Sequence, residues 1–479
     1  MLASIRLSNK CYKAIQTDNL LLYDCLLYLG AMKNLIWMLL LFSSQFANAN
    51  GSDTTQQHLR MVDYFIKGHF YGQVRNFTMS TINQGSLSDY YVNAIGASVH
   101  YETFPWKGFK VGLNGLFVYK TFSNELLDID PIAGETASYE LQLFDVEQPG
   151  NYTDLDRLEE LYLHYDHRGF SATFGKMEIH TPLVNLHDGR MKPKVFYGIK
   201  SQYLWKANHF FAGWFTKASP RSITHWYSIG DAIGLYNNGH LEDGTPAHYH
   251  HHIDSKGLGI VGAETKRKKH FQFRIWNYFL ENISNTVLAN VEFNDSTYTL
   301  GFMYMNQVVV GNGGSDQLEN TFFSNDLLTH AASARIGYQL KKIRFSLNGT
   351  HIFEGGNFLF PREFGVDPFY TFISRSQLEG FGNATAITFS SVFDIKKWEL
   401  GLHFNHVKAD EAYRYNKYDL QTYSQLNVDL CHEFQNRLEG LDLRFLYVCR
   451  LSNRSDLAVS QTFNKTNFHH LNLILNFNF

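Results

Sequence analysis

The sequence predicts an all-β chain that closes into a transmembrane antiparallel barrel of about 18 strands. Three observations lead to this fold class. The last nine residues, LNLILNFNF, alternate between apolar and polar side chains. Aromatic residues make up 16% of the chain while proline is limited to 9 residues, a balance that aromatic girdles at two membrane interfaces would explain. Segments of alternating hydrophobicity also recur after residue 60, separated by polar connections that are short and long in turn.

The C-terminal segment is the clearest strand. Its apolar face carries Leu471, Leu473, Leu475, Phe477 and Phe479. Its other face carries Asn472, Asn476 and Asn478. Because side chains alternate across a strand, such a segment suits a wall between hydrocarbon and water, although the edge strand of a soluble sandwich is the alternative. A terminal Phe479 resembles the signal that the bacterial outer-membrane assembly machinery recognises. That machinery, the lipid bilayer and lipopolysaccharide are therefore expected partners.

The N-terminal region predicts export. Lys33 is followed by the apolar residues 35–42, which are too few to span a bilayer, and then by the small-residue motif Ala47-Asn48-Ala49. We predict an extension and signal peptide over residues 1–49, cleaved after Ala49, and one outer-membrane barrel domain over residues 50–479. Met32 is the natural start of this signal, so residues 1–31 would be an upstream extension; a long leader is the alternative. After residue 50 no apolar run reaches the roughly 20 residues of a transmembrane helix.

Eight short connections alternate with nine longer ones, which gives 18 strands and places both ends of the barrel on one side. The short connections would be periplasmic turns and the long ones extracellular loops. The hairpin around residues 436–440 places Cys431 opposite a position close to Arg444, so Cys431 and Cys449 are not expected to form a disulfide.

Strand parity directs a set of basic side chains towards the lumen. This predicted ladder consists of Lys67, Arg75, Arg274, Arg335, Arg344, Arg444 and Arg450. A guanidinium stays charged and offers several donors, so such a wall would guide carboxylates or phosphates. The alternative is that any water-filled lumen carries both signs of charge. The same parity turns Glu160, Glu399, Asp429 and Asp442 inward.

Two loops carry more specific patterns: TPLVNLHDGRMKP over residues 181–193, and PREFGVDPFYTF over residues 361–372 with EGFG following at 379–382. Both resemble signatures of the OprD-type outer-membrane porins, and the resemblance extends over essentially the whole mature chain. It implies an 18-stranded barrel, a third loop folded into the pore, a basic ladder, and passage of small carboxylate-bearing solutes. The expected loop anchors or constriction residues are Asp188, Arg190, Arg362, Glu363, Asp367 and Arg375. Buried loop backbone needs hydrogen-bond partners, which favours anchoring.

The fourth loop is rich in histidine. Its weak metal candidates are His248, His250 and His252, since imidazole suits zinc, nickel or copper. Adjacent residues of an extended chain point in opposite directions, so one ion could be shared only across a special turn. The plain alternative is a solvated loop that changes charge near pH 6.5, roughly the ordinary pKa of histidine. No metal or cofactor is expected.

Composition and motifs limit the function. The net charge of -3 and pI near 6.7 do not suggest a nucleic-acid partner. No nucleophile elbow or zinc-protease helix motif occurs, so no catalytic residues are assigned. We expect a Gram-negative outer-membrane porin, not an enzyme, that passively and selectively passes small anionic or zwitterionic solutes such as amino acids, short peptides and organic acids. The alternatives are a barrel enzyme, either lipase or protease, and a surface adhesin.

Overall fold

The computed structural model describes residues 61–187, 189–265, 270–324 and 327–479. The predicted signal peptide, its cleavage point after Ala49 and the extension before it lie outside these residues and stay predictions. Among the helices of the described ranges, none combines the length and the apolar character needed to cross a membrane.

One short helix, α1 (Met61–Ile66), precedes the strands of the described residues. These strands are β1 (His69–Asn83), β2 (Tyr90–Glu102), β3 (Phe109–Ser123), β4 (Arg157–His167), β5 (Phe170–Glu178), β6 (Val195–Trp205), β7 (Asn208–Ser219), β8 (Tyr227–Ser228), β9 (Leu258–Thr265), β10 (Phe271–Leu280), β11 (Ser284–Asn294), β12 (Tyr298–Val309), β13 (Leu328–Leu340), β14 (Ile343–Ile352), β15 (Ala384–Ile395), β16 (Trp398–Lys408), β17 (Tyr423–Glu433), β18 (Leu441–Ser452) and β19 (Phe468–Asn478). Single 3-10 turns occur at Leu141–Leu143, Leu318–Asn320, Tyr413–Tyr415, Asn436–Leu438 and Val459–Thr462.

The strands form one closed antiparallel barrel. Each barrel strand pairs with the next along the chain, β7 pairs directly with β9, and β19 pairs with β1. The two-residue β8 adds only to β7 and is not part of the wall. At the seam, the Gly72 N–H donates to the Phe479 carbonyl at 2.9 Å and the Phe479 N–H donates to the Gly72 carbonyl at 3.0 Å. The predicted 18-stranded barrel is confirmed, with β8 as an extra strand.

The outer surface of the barrel is apolar. On β13, Ile336 is 63% exposed and Tyr338 is 41% exposed, whereas the flanking Arg335 and Gln339, on the other face of the strand, are half-buried. Leu347 on β14 and Phe389 on β15 continue the same exposed band. A continuous apolar band around a closed sheet would be costly in water and suits hydrocarbon.

Four long loops are named here: L2 (residues 124–156), L3 (179–194), L4 (220–257) and L7 (353–383). L3 and L7 bury apolar side chains inside the barrel, where Phe364 of L7 packs on Phe196 of β6 with ring centroids 5.4 Å apart. The interior core is therefore made by loops packed on strands. One parity assignment is corrected: Lys67 does not lie on the first strand. It occupies the exposed turn between α1 and β1, because β1 begins only at His69.

Candidate functional site: a lumen narrowed by L3 and L7

The two loop motifs meet inside the barrel. The Asn185 side chain of L3 donates to the Val366 carbonyl of L7 at 2.9 Å. Gly365 approaches L3 so closely that a Cβ there would lie 1.8 Å from the Leu183 carbonyl oxygen. Only glycine allows this backbone contact. L3 is thus folded into the lumen, as predicted, and L7 holds it there.

Arg157 at the start of β4 is the main link between the wall and the loops, and sequence reasoning missed it. Its guanidinium pairs with Glu159 through two hydrogen bonds of 2.8 Å each. It also donates to the Pro193 carbonyl of L3 at 2.6 Å, and to the Pro220 carbonyl at 2.7 Å and the Ile223 carbonyl at 3.0 Å in L4. Because Arg157 is only 3% exposed, this charge ties β4, L3 and L4 together. Its place at the first position of β4, directly after a long connection, is the only sequence signal for it.

Beneath L3 lies a cavity of about 1280 Å³ that carries both signs of charge. Its basic lining residues are Arg75, Arg190, Arg375 and Arg444. Its acidic lining residues are Glu159, Glu160, Glu178, Glu433 and Asp442. The arginines come from β1, β18, L3 and L7, whereas Glu159, Glu160 and Glu178 come from β4 and β5. Glu433 at the end of β17 and Asp442 on β18 lie among the arginines. The cavity therefore has an acidic sector on β4 and β5 and a second sector, on another part of the wall, that carries all four arginines and these two carboxylates.

Three of the arginines lie where L3 and L7 approach the wall. Arg75 of β1 donates to the Asn476 side chain at 2.7 Å and to the Arg190 carbonyl. Arg190 adopts a φ of 53° in L3 and donates to the Tyr139 carbonyl of L2 at 2.7 Å. The Arg375 Nε of L7 lies 3.2 Å from His470 Nε2 on β19. The acceptors in these contacts are carbonyl, amide and imidazole groups, and all three arginines line the cavity.

Other members of the predicted ladder also point inward, but different groups surround them. Arg444 pairs with Asp429 at 2.8 and 2.6 Å beside the cavity. Arg344 pairs with Asp394 at 2.8 Å and Glu399 at 2.5 Å near the short turns, at the end of the barrel opposite the long loops.

Arg274, Arg335 and Arg450 also have local partners. Arg274 lies 3.5 Å from Glu292 and 3.8 Å from Glu264. Arg335 donates to Asn348 at 3.0 Å and covers the Tyr370 ring. Arg450 is 4% exposed and donates to Gln425 and to the Arg375 carbonyl. Of the predicted ladder, Arg75 and Arg444 line the cavity, whereas Arg274, Arg335, Arg344 and Arg450 lie outside its lining. These residues therefore do not form one continuous ladder.

The predicted L7 residues form contacts of the anchoring kind. Arg362 donates to the Glu379 carboxylate and stacks over the Tyr418 ring, its guanidinium carbon 3.5 Å from the centroid. Glu363 accepts from two L4 backbone N–H groups, at 3.1 Å from Gly234 and 3.3 Å from Tyr236.

Asp367 accepts from the Leu378 N–H at 3.0 Å. Burial raises the pKa of Glu363 and that of Asp367 to about 7. Asp188 lies outside the described residues, so its predicted anchoring role stays a prediction.

Two further buried groups were not anticipated. Lys192 of L3 donates to the Phe144 carbonyl of L2 at 2.8 Å, and burial lowers its pKa to about 7. Glu140 of L2 accepts from the Thr81 hydroxyl at 2.6 Å, and burial raises its pKa to about 7. Lys192 belongs to the L3 motif, but no local pattern links it to L2, about 48 residues earlier in the chain.

The histidines of L4 are arranged differently from the predicted set. His248 and His252 are exposed, whereas His250 and its neighbour His251 face Glu147 of L2. Among the described residues, the group close enough to share one metal ion is Glu147, His250 and His251.

Several solved structures share this architecture. The chain matches Pseudomonas aeruginosa OccK9 (OpdG) with a TM-score of 0.68 and 13% identity over 87% of this chain and 99% of that one. It matches Acinetobacter baumannii OccAB4 with a TM-score of 0.66 and 14% identity over 86% of this chain and 98% of that one. Pseudomonas aeruginosa OpdK, crystallised with vanillate, gives a TM-score of 0.64 and 14% identity over 87% of this chain and 99% of that one.

No protein-family profile and no curated relative matches the sequence. At 13 to 14% identity, the likeness to the solved structures carries the fold alone. These structural neighbours are OprD-family porins of Pseudomonas and Acinetobacter, so the resemblance read from the two loop motifs is confirmed at the level of the barrel architecture.

Proposed function

We propose that this chain is an outer-membrane porin through which small carboxylate-bearing solutes, zwitterions in particular, diffuse passively. The observation that carries the proposal is the two-sector cavity beneath L3. Arg75, Arg190 and Arg375 offer positive charge where L3 narrows the lumen, and Glu160 and Glu178 offer negative charge on another part of the wall. A solute with a carboxylate and an ammonium group can satisfy both sectors at once.

The charge pattern refines the basic ladder predicted from parity. A wall of one sign would favour simple anions, but Arg344 and Arg444 have carboxylate partners that offset their charge. The structurally similar OpdK was crystallised with vanillate, an aromatic carboxylate, which supports a carboxylate as part of the solute. The neighbours are channels rather than enzymes, which favours transport over lipid or peptide hydrolysis.

Planar-bilayer conductance and liposome swelling test the proposal. The solute panel should contain a zwitterionic amino acid, a carboxylate of similar size and an uncharged sugar. We expect Arg75→Gln to slow entry of the amino acid and the carboxylate by about fivefold, equivalent to roughly 1 kcal/mol of lost charge interaction, and to change sugar entry much less. Glutamine keeps a donor that can reach Asn476.

Arg344→Gln is the matched control, because Arg344 also points inward but lies at the periplasmic end beside two carboxylates. Its effect on carboxylate entry should be clearly smaller. Equal slowing of all three solutes by Arg75→Gln would remove the charge-selective part of the proposal. Absence of defined channels would favour the adhesin alternative, and lipid or peptide hydrolysis would favour an enzyme.

A further inference from the structure

L2 and L4 meet at the outer mouth of the barrel in a joint independent of the cavity. The Val146 N–H of L2 donates to the Ser222 carbonyl of L4 at 3.0 Å. The Thr224 hydroxyl of L4 donates to the Asp145 carboxylate of L2 at 2.7 Å. The residue after Val146 is Glu147, whose side chain reaches further into L4. The joint therefore holds a carboxylate in a fixed place beside the histidine run.

The backbone at His251 provides the special turn that the histidine run requires. His251 has a φ of 62°, in the left-handed region, within a turn that includes His250 and His252. As a result the rings of His250 and His251 lie on the same side of the chain, with centroids 3.8 Å apart. Adjacent residues of an extended strand would point apart instead.

The ligand atoms have the spacing of a coordination polyhedron. His250 Nε2 and His251 Nε2 each lie 3.4 Å from Glu147 Oε1. All three ligand atoms fall within 4.8 Å of one another. With bonds of about 2.0 to 2.2 Å from zinc to nitrogen or oxygen, two ligands of a tetrahedral site are separated by roughly 3.4 Å. The measured nitrogen to oxygen distances match that separation.

Surrounding groups orient the three side chains. The Tyr227 hydroxyl of β8 donates to the second oxygen of Glu147. His250 Nδ1 lies 3.4 Å from the Ile233 carbonyl, an acceptor that favours a proton on Nδ1 and a lone pair on Nε2. Asp231, which accepts from the Ser228 hydroxyl at 2.7 Å, lies 3.9 Å from His251 Nδ1. Metal-binding histidines commonly have such partners on the other ring nitrogen.

We propose that Glu147, His250 and His251 bind one divalent transition-metal ion such as zinc, with solvent completing the coordination, and that this ion fastens L2 to L4. Two imidazoles and one carboxylate suit zinc, nickel or copper rather than magnesium or calcium. The His250 and His251 side chains are 27% and 53% exposed, so an ion can enter from the extracellular side. The proposal does not depend on the solute that the pore conducts.

Zinc binding to the purified, untagged, full-length protein in detergent tests the site. We expect one Zn²⁺ per chain by calorimetry and by metal analysis after desalting. The His250→Ala/His251→Ala double variant should lose this ion, and Glu147→Gln should weaken binding by at least about tenfold. Tyr227→Phe, which removes only an orienting hydroxyl, should weaken it by about tenfold.

The matched control is His248→Ala/His252→Ala, which removes two exposed histidines of the same loop. It should keep the ion and its affinity. Zinc should also slow proteolysis of L2 and L4 in the parent chain and in this control, but not in the His250→Ala/His251→Ala variant. Each variant is checked for heat-modifiable gel migration, which reports a folded barrel.

Three results would overturn the proposal. One is the absence of stoichiometric Zn²⁺ in the parent chain. Another is loss of the ion in the His248→Ala/His252→Ala control together with its retention when His250 and His251 are replaced. The third is bound zinc that leaves the proteolysis of L2 and L4 unchanged, because the ion would then not join the loops.

Discussion

Arginines point inward both in the half of the barrel that holds the long loops and at the end with the short turns, but their surroundings differ. Arg157 in the outer half is 3% exposed and contacts five residues from the wall, L3 and L4. The Arg344 side chain near the short turns is 42% exposed and bridges two carboxylates on neighbouring strands. The difference is that L3 and L4 cover Arg157. Strand parity sets the direction of a side chain. The loop above it decides whether the charge is buried in hydrogen bonds or remains exposed to solvent.

The loops inside the barrel are themselves held by buried charged groups. L3, L7 and L2 bury Lys192, Glu363 and Asp367 among backbone carbonyl and N–H groups, which fixes the loops inside the lumen. At the end of the barrel with the short turns, Arg344 pairs with carboxylates along the wall. The part of the lumen that L3 narrows should therefore be as rigid as the loop contacts that form it.

The largest effect is expected for Arg157→Ala. This change leaves Glu159 buried without its bidentate partner and removes the link from β4 to L3 and L4. Removing one member of a buried ion pair costs about 3–5 kcal/mol. The midpoint of heat-modifiable gel migration and the urea midpoint in lipid vesicles should both fall, and channel conductance should become noisy as L3 loosens.

Arg344→Ala provides the contrast with Arg157→Ala. An exposed ion pair contributes about 0–1 kcal/mol, so the same measurements should change little. A similar loss of stability in both variants would contradict the view that the covering loop decides what an inward arginine does.

A smaller effect is expected for Gly365→Ala, at the contact between L7 and L3. The added methyl would lie 1.8 Å from the Leu183 carbonyl, so one loop has to move. Overpacking of this kind costs about 1–3 kcal/mol. Because L3 narrows the lumen, single-channel conductance should change as well as stability.

Gly150→Ala is the matched control for Gly365→Ala, since a Cβ at Gly150 in L2 would meet no heavy atom within 4 Å. Conductance and stability should both stay at the parent values. If Gly365→Ala behaves like Gly150→Ala, L7 does not hold L3 in place.

The strand count, the inward parity and the place of residues 181–193 in the third loop could be predicted because they follow from local alternation and from turns. The inward fold of that loop was implied only by the resemblance of its motif to the porin family. The position opposite Cys431 was predicted to lie close to Arg444, and Arg444 is its partner. Cys431 and Cys449 are both free, as expected. The end of α1 was not predicted, and Lys67 was therefore placed on a strand that begins two residues later.

What could not be predicted are contacts made across long stretches of chain. Arg450 has the parity of a pore-lining residue, yet it is buried beside Gln425 under a loop. His250 and His251 meet Glu147 only because of one left-handed residue and a loop about a hundred residues earlier. Burial of this kind depends on which loop covers which strand, and alternation along a single strand carries no information about it.

The smallest effect expected here is the response of L7 to pH. Burial raises the pKa of Glu363 and Asp367 to about 7, above the value near 4 that a carboxyl has when L7 opens to water. The closed loop therefore holds protons that the open loop releases, so its stability is full at low pH and falls as pH rises towards 7. Between pH 6.5 and 7.5 each of the two carboxyls should favour opening by about threefold, so the opening of L7 should increase about tenfold, or roughly 1.4 kcal/mol. Amide exchange of residues 353–383, corrected for the intrinsic pH dependence, measures this opening.

The control is the double variant Glu363→Gln/Asp367→Asn, which keeps the shape of both side chains and removes their titration. Amide exchange in that variant should be nearly independent of pH. If exchange rises with pH as steeply as in the parent chain, the titrating groups lie elsewhere.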